Sequence, residues 1–160
     1  MKILKTFMIT AAADILSLFI GMTLAGSASS AIRFVSAVCT SGILMCILGS
    51  FAFRSARDDV KNHRAGIAGF SPVMPWIMGL AASAPGIISW LVLKFSGLDF
   101  YRWHKLINGW FLQIYNMINS NASSAALTSR QMMIMLPLAA VPMIVFMVGY
   151  FMGVHSEKKE

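Results

Sequence analysis

Four long apolar stretches most constrain what this chain can fold into. They cover residues 6–25, 34–53, 73–95 and 132–154. Each has about 20 residues or more, and at a helical rise of about 1.5 Å per residue each can cross a hydrocarbon core of about 30 Å. The charges within them are Asp14 and, at the end of the third, Lys94. The sequence therefore predicts an all-α polytopic membrane protein with four transmembrane helices in a single domain over residues 1–160.

Composition and charge placement support a membrane environment. The chain is 58% hydrophobic and 12% charged, whereas about a quarter of the residues in a soluble domain are charged. Its formal net charge is +7, but the basic residues lie at the ends of the apolar stretches and in the connections. This pattern is typical of topology determinants and of contacts with anionic headgroups. We therefore expect the lipid bilayer as a partner and no nucleic acid.

The distribution of basic residues predicts an orientation. If the N-terminus is cytoplasmic, eight basic residues lie on that side: Lys2, Lys5, Arg54, Arg57, Lys61, Arg64, Lys158 and Lys159. Five lie on the other side: Arg33, Lys94, Arg102, Lys105 and Arg130. Basic residues in short loops favour the cytoplasmic side. Both termini are therefore predicted to be cytoplasmic, and the short loops favour a prokaryotic plasma membrane.

Residues 1–30 allow a second interpretation. A basic start, an apolar run and the small residues of 24–31 are also features of a cleaved secretory signal. Asp14 would then lie in the middle of the apolar part of that signal, which favours a retained first helix.

The connection between the third and fourth spans carries an amphipathic helix over about 100–118. Its predicted apolar face consists of Trp103, Leu106, Ile107, Trp110, Phe111, Ile114, Met117 and Ile118. Its predicted polar face consists of Arg102, Lys105, Asn108, Gly109, Gln113 and Asn116. This spacing is that of a helix with one apolar side. Such a helix can lie in the membrane interface or pack over the mouth of the bundle, and the sequence leaves both open.

Asp14 is the strongest candidate for a functional residue. A carboxylate near the centre of a spanning helix costs about 2.5–3.5 kcal/mol on insertion scales, so it normally faces protein or a water-filled cavity. Thr10 and Ser17 lie about one turn away on either side. We predict an ion or proton site at these three residues. The alternative is that Asp14 makes a structural hydrogen bond between helices or reaches the headgroups.

Small residues mark two surfaces where helices can approach closely. In the first helix they recur every four positions: Ala13, Ser17, Gly21 and Ala25. Gly149 and Gly153 have the same spacing in the last helix. Such spacing lets two membrane helices come into backbone contact. These surfaces could pack within the chain or against a partner, so a homo-oligomer or a larger membrane complex is a predicted assembly.

The layout resembles that of the small multidrug resistance transporters. The shared features are four short helices, a cytoplasmic start and a lone acidic residue, here Asp14, midway along the first helix. The resemblance implies transport coupled to a proton or cation at that carboxylate. The basic connection 54–72, the amphipathic helix and the longer chain depart from the family's pattern, so the resemblance covers architecture and one position.

No motif specifies a catalytic reaction, and we predict no catalytic residue, no cofactor and no metal site. The polar stretch 54–64 is where a membrane-surface enzyme could hold its groups, because Asp59 and His63 are four residues apart and Asp58 is adjacent. No nucleophile, metal-ligand set or glycine-rich phosphate loop accompanies them. A solvated loop that faces the headgroups is the preferred interpretation.

Three classes of function therefore stand, in order of preference. The first is a non-catalytic membrane subunit or accessory protein that associates through its small-residue helix faces. The second is a small oligomeric transporter or channel with Asp14 as its proton or cation site. The third is a membrane-surface enzyme.

Overall fold

The computed structural model describes residues 1–25 and 29–159, without the side chains of Ala25, Lys158 and Lys159. Within these described ranges six α-helices follow one another: α1 Lys2–Ala25, α2 Ser30–Arg64, α3 Met74–Phe95, α4 Tyr101–Ile107, α5 Leu112–Ile118 and α6 Ser129–Lys159. Short 3-10 turns occur at Gly109–Phe111 and Ser124–Ala126. No strand occurs in the described ranges, so the all-α prediction is confirmed. Part of the small-residue stretch 24–31, where a signal would be cleaved, lies outside them.

Four of these helices, α1, α2, α3 and α6, are long and apolar enough to cross a membrane. They overlap the four apolar stretches of the sequence, and the predicted number of long apolar helices is confirmed. Large apolar side chains remain exposed along them, among them Phe19, Val38, Ile88 and Ile144. A protein folded in water seldom leaves so many large apolar side chains exposed, whereas a lipid environment suits them.

Helix α2 continues well beyond its apolar part. Residues 54–64 form its last turns, where the sequence indicated a loop. The helix ends only where Gly66 takes a left-handed backbone conformation, with φ of 69°. The polar extension is held by α6, because Glu157 accepts a hydrogen bond of 2.6 Å from Nε of Arg57. Helical structure here depends on a partner that is about 100 residues away in the chain.

Glycines bring α2 and α6 into backbone contact. A Cβ atom at Gly149 would lie 2.6 Å from the carbonyl oxygen of Gly49. A Cβ atom at Gly153 would clash with the carbonyl oxygen of Phe53 and lie 2.8 Å from Cβ of Ala56. The small-residue surface of the last helix therefore packs within the chain.

Ion pairs cluster at the end of the bundle where α1 begins and α6 ends, which we call the charged end. Asp59 pairs with Lys2 and accepts a hydrogen bond of 2.9 Å from the hydroxyl of Tyr150. It therefore joins α1, α2 and α6. Glu157 faces Arg57 and, at 3.8 Å, Lys61. These pairs tie together the helix ends that carry most of the basic residues.

At the opposite end, residues 101–118 form a helical hairpin instead of one continuous helix. Helix α4 ends at Ile107, and α5 runs back from Leu112. The Tyr101 hydroxyl donates to the carbonyl oxygens of Tyr115, at 3.0 Å, and Asn119, at 3.2 Å. We call the turn between the two helices, residues 108–111, the hairpin tip. The start of α4 thus lies beside the end of α5.

The hairpin tip reaches the middle of the bundle. It contacts three residues, each in a different spanning helix: Asp14 of α1, Thr40 of α2 and Gly86 of α3. Each of these lies about ten residues from the end of its helix on the hairpin side. At about 1.5 Å per residue that is about 15 Å, half of a hydrocarbon core of about 30 Å. The segment between α3 and α6 therefore enters the bundle from one side and returns to that side.

The faces of this hairpin differ from those of the predicted amphipathic helix. Lys105, Asn108 and Gln113, from the predicted polar face, are buried. Trp103 and Met117, from the predicted apolar face, are 58% and 66% exposed. Inside a membrane domain, polar groups need protein partners while apolar side chains can face lipid. That requirement accounts for the inward position of these three polar side chains.

Candidate functional site

Asp14 anchors the hairpin tip to α1. Its Oδ1 accepts a hydrogen bond of 2.5 Å from the backbone N–H of Gly109, and the N–H of Trp110 also reaches this carboxylate. Thr40 of α2 donates its hydroxyl to the Trp110 carbonyl oxygen at 2.9 Å. Backbone groups at the tip lack the partners that a continuous helix would supply. Side chains of α1 and α2 supply them instead, as non-helical backbone at this depth requires.

Next to the tip, three buried side chains form a polar cluster. Ser89 Oγ lies 2.9 Å from Nδ1 of His104, and the Asn108 amide donates to the same oxygen at 3.1 Å. Ser89 is also 3.0 Å from the carbonyl oxygen of Gly86, to which its hydroxyl can donate. Its oxygen also accepts from the Asn108 amide, and the imidazole tautomer sets which of Ser89 Oγ and His104 Nδ1 donates to the other.

Several buried polar atoms around the tip have no hydrogen-bond partner among the described residues. Four belong to the hairpin: His104 Nε2, Asn108 Oδ1, Trp110 Nε1 and Tyr115 OH. All four side chains are at most 1% exposed. Buried polar atoms are nearly always paired with protein or water, and a group of unpaired ones calls for an explanation. Together with Asp14 they define a region with donors and acceptors available for a polar guest.

Burial shifts the titration of the two basic side chains of α4. It lowers the pKa of His104 from 6.5 to about 4, so the imidazole is neutral at pH 7. Burial also lowers the pKa of Lys105, to about 8. The Lys105 ammonium donates to three oxygens within 2.9 Å: Asn116 Oδ1, Asn119 O and Asn121 O. Lys105 thus ties α4 to the end of α5, while His104 supplies a neutral polar group near the tip.

The residues predicted to accompany Asp14 have other partners. The Thr10 hydroxyl donates to the carbonyl oxygen of Thr6 in its own helix, at 2.9 Å. The Ser17 hydroxyl donates to the carbonyl oxygen of Thr40, at 3.4 Å. The structure therefore places Asp14 against the hairpin and the other two against helices. A role for any of them in binding an ion or proton stays a prediction.

The small residues of α1 face the protein. Ala13, Ser17 and Gly21 are buried, and the Ala25 side chain lies outside the described residues. A Cβ atom at Gly21 would lie 3.6 Å from Leu112 of α5, an ordinary van der Waals distance. The small face of α1 therefore lies against the hairpin and α2 within the same chain.

Sequence reasoning missed His104, Asn108 and Ser89. His104 belongs to neither predicted face of the 100–118 helix, and it is fully buried. The available signal was the pair Asn108–Gly109, a turn dipeptide in the middle of a predicted helix. Recognising that break would have predicted two short helices. It would not have indicated which spanning helix faces the tip.

The residues considered for a membrane-surface enzyme are not assembled into a site. Asp59 is engaged with Lys2 and Tyr150. The His63 ring packs 6.2 Å from the ring of Phe70, and Asp58 is exposed. Asp59 therefore acts as a link between helices at the charged end.

Comparison with known proteins adds no function to this description. No family model, no curated protein and no solved structure matches the chain. Any functional proposal for it rests on the residues and geometry described above.

Proposed function

We propose that this protein is a small membrane transport protein whose polar centre, at the hairpin tip, binds a proton or a small cation. The centre comprises Asp14, Ser89, His104 and Asn108. The observation that carries the proposal is the helix break at mid-bundle depth, beside a carboxylate and several unpaired polar atoms. Ionisable residues and irregular backbone are costly inside a membrane, and they generally mark ion or substrate pathways.

The geometry favours transport over the subunit hypothesis for one reason. The small-residue surfaces that were candidates for partner contacts pack within the chain, with Gly149 on α2 and Gly21 facing α5. They are therefore already occupied in the monomer. The polar centre, by contrast, has donors and acceptors that no described residue uses.

The decisive comparison is between two substitutions of Asp14. An asparagine can still accept the Gly109 N–H but cannot bind or release a proton, whereas a leucine loses both properties. The protein is reconstituted in liposomes with an entrapped pH dye and a sodium dye, and flux is driven by opposed gradients. We expect Asp14→Asn to abolish flux and to keep its thermal stability. Asp14→Leu is expected to lose both.

Asp58→Asn is the matched control, because it removes an exposed carboxylate at the charged end. It should leave flux unchanged. Full flux in Asp14→Asn would overturn the proposal and leave Asp14 as an anchor of the hairpin. If the parent protein carries neither protons nor sodium, the proposal is overturned for these ions as well.

An association function is the second candidate, and the outer face of α2 favours it. Cys39, Cys46 and Ser50 are exposed there, and a Cβ atom at Gly42 would meet nothing within 4 Å. The side chains on this face are small and exposed in the described structure, which would allow another helix to approach closely. Gly42→Leu should weaken an assembly made through this face without altering flux through the polar centre.

A further inference from the structure

The charged end divides its basic residues into paired and unpaired ones. Lys2, Arg57 and Lys61 lie within 4 Å of a carboxylate oxygen of Asp59 or Glu157. Lys5 and Arg54 make no ion pair and no side-chain hydrogen bond with any part of the chain that the structure describes. The contact of Lys5 is the Phe51 ring, whose centre lies 5.8 Å from Nζ. Two exposed cations therefore remain available at the ends of α1 and α2.

Both unpaired cations border the same cavity. It lies between α1 and α2 and has a volume of about 500 Å³. Ile9, Ile47 and Phe51 form its apolar wall. A second, open groove of about 650 Å³ runs between α2 and α6, lined by apolar residues such as Met45 and Val148.

Arg54 and Ser50 line both cavities, so they stand where the two meet. Arg54 follows Thr40 by 14 positions in α2, which is about 21 Å along the helix. Since Thr40 contacts the hairpin tip at mid-bundle depth, Arg54 lies beyond the hydrocarbon half-thickness of about 15 Å, at headgroup level. The α2–α6 groove runs from there back into the hydrocarbon region.

We propose that Lys5 and Arg54 bind the phosphate of an anionic phospholipid, with an acyl chain in the groove between α2 and α6. A guanidinium matches two phosphate oxygens, and basic pockets between membrane helices bind anionic headgroups. The apolar groove next to Arg54 favours a lipid over a free phosphate, because only a lipid has both a phosphate for the basic cavity and an acyl chain for the groove. Asp58 borders the α1–α2 cavity one turn past Arg54, so the phosphate lies on the Arg54 and Lys5 side. This proposal is independent of the polar centre.

The test is lipid retention by the purified full chain in native mass spectrometry, with phosphatidylglycerol or phosphatidylcholine added. The double variant Lys5→Gln/Arg54→Gln should retain phosphatidylglycerol about thirtyfold less well. This corresponds to a factor of roughly ten or less for each basic residue that is removed. Retention of phosphatidylcholine should not change. The matched control Arg33→Gln/Arg102→Gln removes the same charge from exposed residues at the hairpin end and should have no effect.

Two further variants make the result decisive. Ser50→Phe fills the junction of the two cavities without changing charge, and it should also lower phosphatidylglycerol retention. Arg54→Lys keeps the charge but not the planar guanidinium, and its retention should lie between those of the parent and of Arg54→Gln. Equal losses in the two double variants would show general charge attraction and overturn the proposal. Unchanged retention in Arg54→Gln and Ser50→Phe would overturn it as well, even if the double variant does not fold.

Discussion

The charged end and the hairpin end hold their polar groups by different means. At the charged end, Asp59 and Glu157 face basic side chains from neighbouring helices. At the hairpin end, Lys105 and Asp14 face neutral backbone or amide groups. Opposite charges suffice where water and headgroups are near, because their desolvation is partial. At mid-bundle depth, hydrogen bonds to fixed backbone groups are the available partners, and some polar atoms there stay unpaired.

The largest effect is expected where α2 and α6 come into backbone contact. Gly149→Leu would force a side chain against the Gly49 carbonyl oxygen and should destabilise the fold by about 3 kcal/mol or more. Gly42→Leu is the control for the melting temperature alone, because nothing lies within 4 Å of a Cβ atom there. Thermal unfolding in detergent, with size-exclusion chromatography, measures both. Equal melting temperatures, with only the oligomer lost in Gly149→Leu, would show that Gly149 serves a partner instead of α2.

An intermediate effect is expected from substitutions whose destabilisation depends on salt at the charged end but not at the hairpin end. Glu157→Gln weakens ion pairs with Arg57 and Lys61 and should lower the melting temperature at low salt, and by less near about 1 M. Lys105→Met removes hydrogen bonds to three neutral oxygens and should cost a similar amount at both salt concentrations. Unfolding at the two salt concentrations, parent against variant, gives these differences. A cost for Lys105→Met that disappears in high salt would contradict the contrast drawn here.

The smallest effect near pH 7 is a pH dependence of the hairpin end, which grows as the pH falls below 6.5. Because burial lowers the pKa of His104 from 6.5 to about 4, the unfolded chain takes up a proton first as the pH falls. Stability contributed by the neutral imidazole is therefore complete above about pH 6.5 and is lost towards pH 4. The loss is at most about 1.4 kcal/mol for each pH unit.

His104→Gln keeps a hydrogen-bonding side chain that does not titrate, so the difference in melting temperature between variant and parent isolates this effect. The parent should lose stability more steeply than the variant between pH 6.5 and pH 4. Parallel curves over that range would mean that the imidazole becomes protonated within the folded protein. The polar centre would then be open to water.

The four long apolar helices and the contact of Asp14 with protein were predictable from the sequence. Apolar runs of about 20 residues identify the spans. A carboxylate within one of them stands out because its insertion into a membrane costs free energy. The helical extension of α2 was not predictable, because its polar turns are held by Glu157 of α6. The polar cluster was not predictable either, since Ser89, His104 and Asn108 are ordinary residues in the sequence and become a cluster only through contact between α3 and α4.

The sequence by itself determined the solvent of this protein and the number of its spans, because hydropathy and length are local properties of each segment. Only the tertiary structure decided that residues 101–118 enter the bundle and that Lys105, Asn108 and Gln113 of their predicted polar face are buried. The same amphipathic pattern suits a helix on a membrane surface or a hairpin within a bundle. What separates the two is whether Asp14 and Thr40 lie opposite the broken backbone to satisfy it. That condition depends on how the helices are arranged in space.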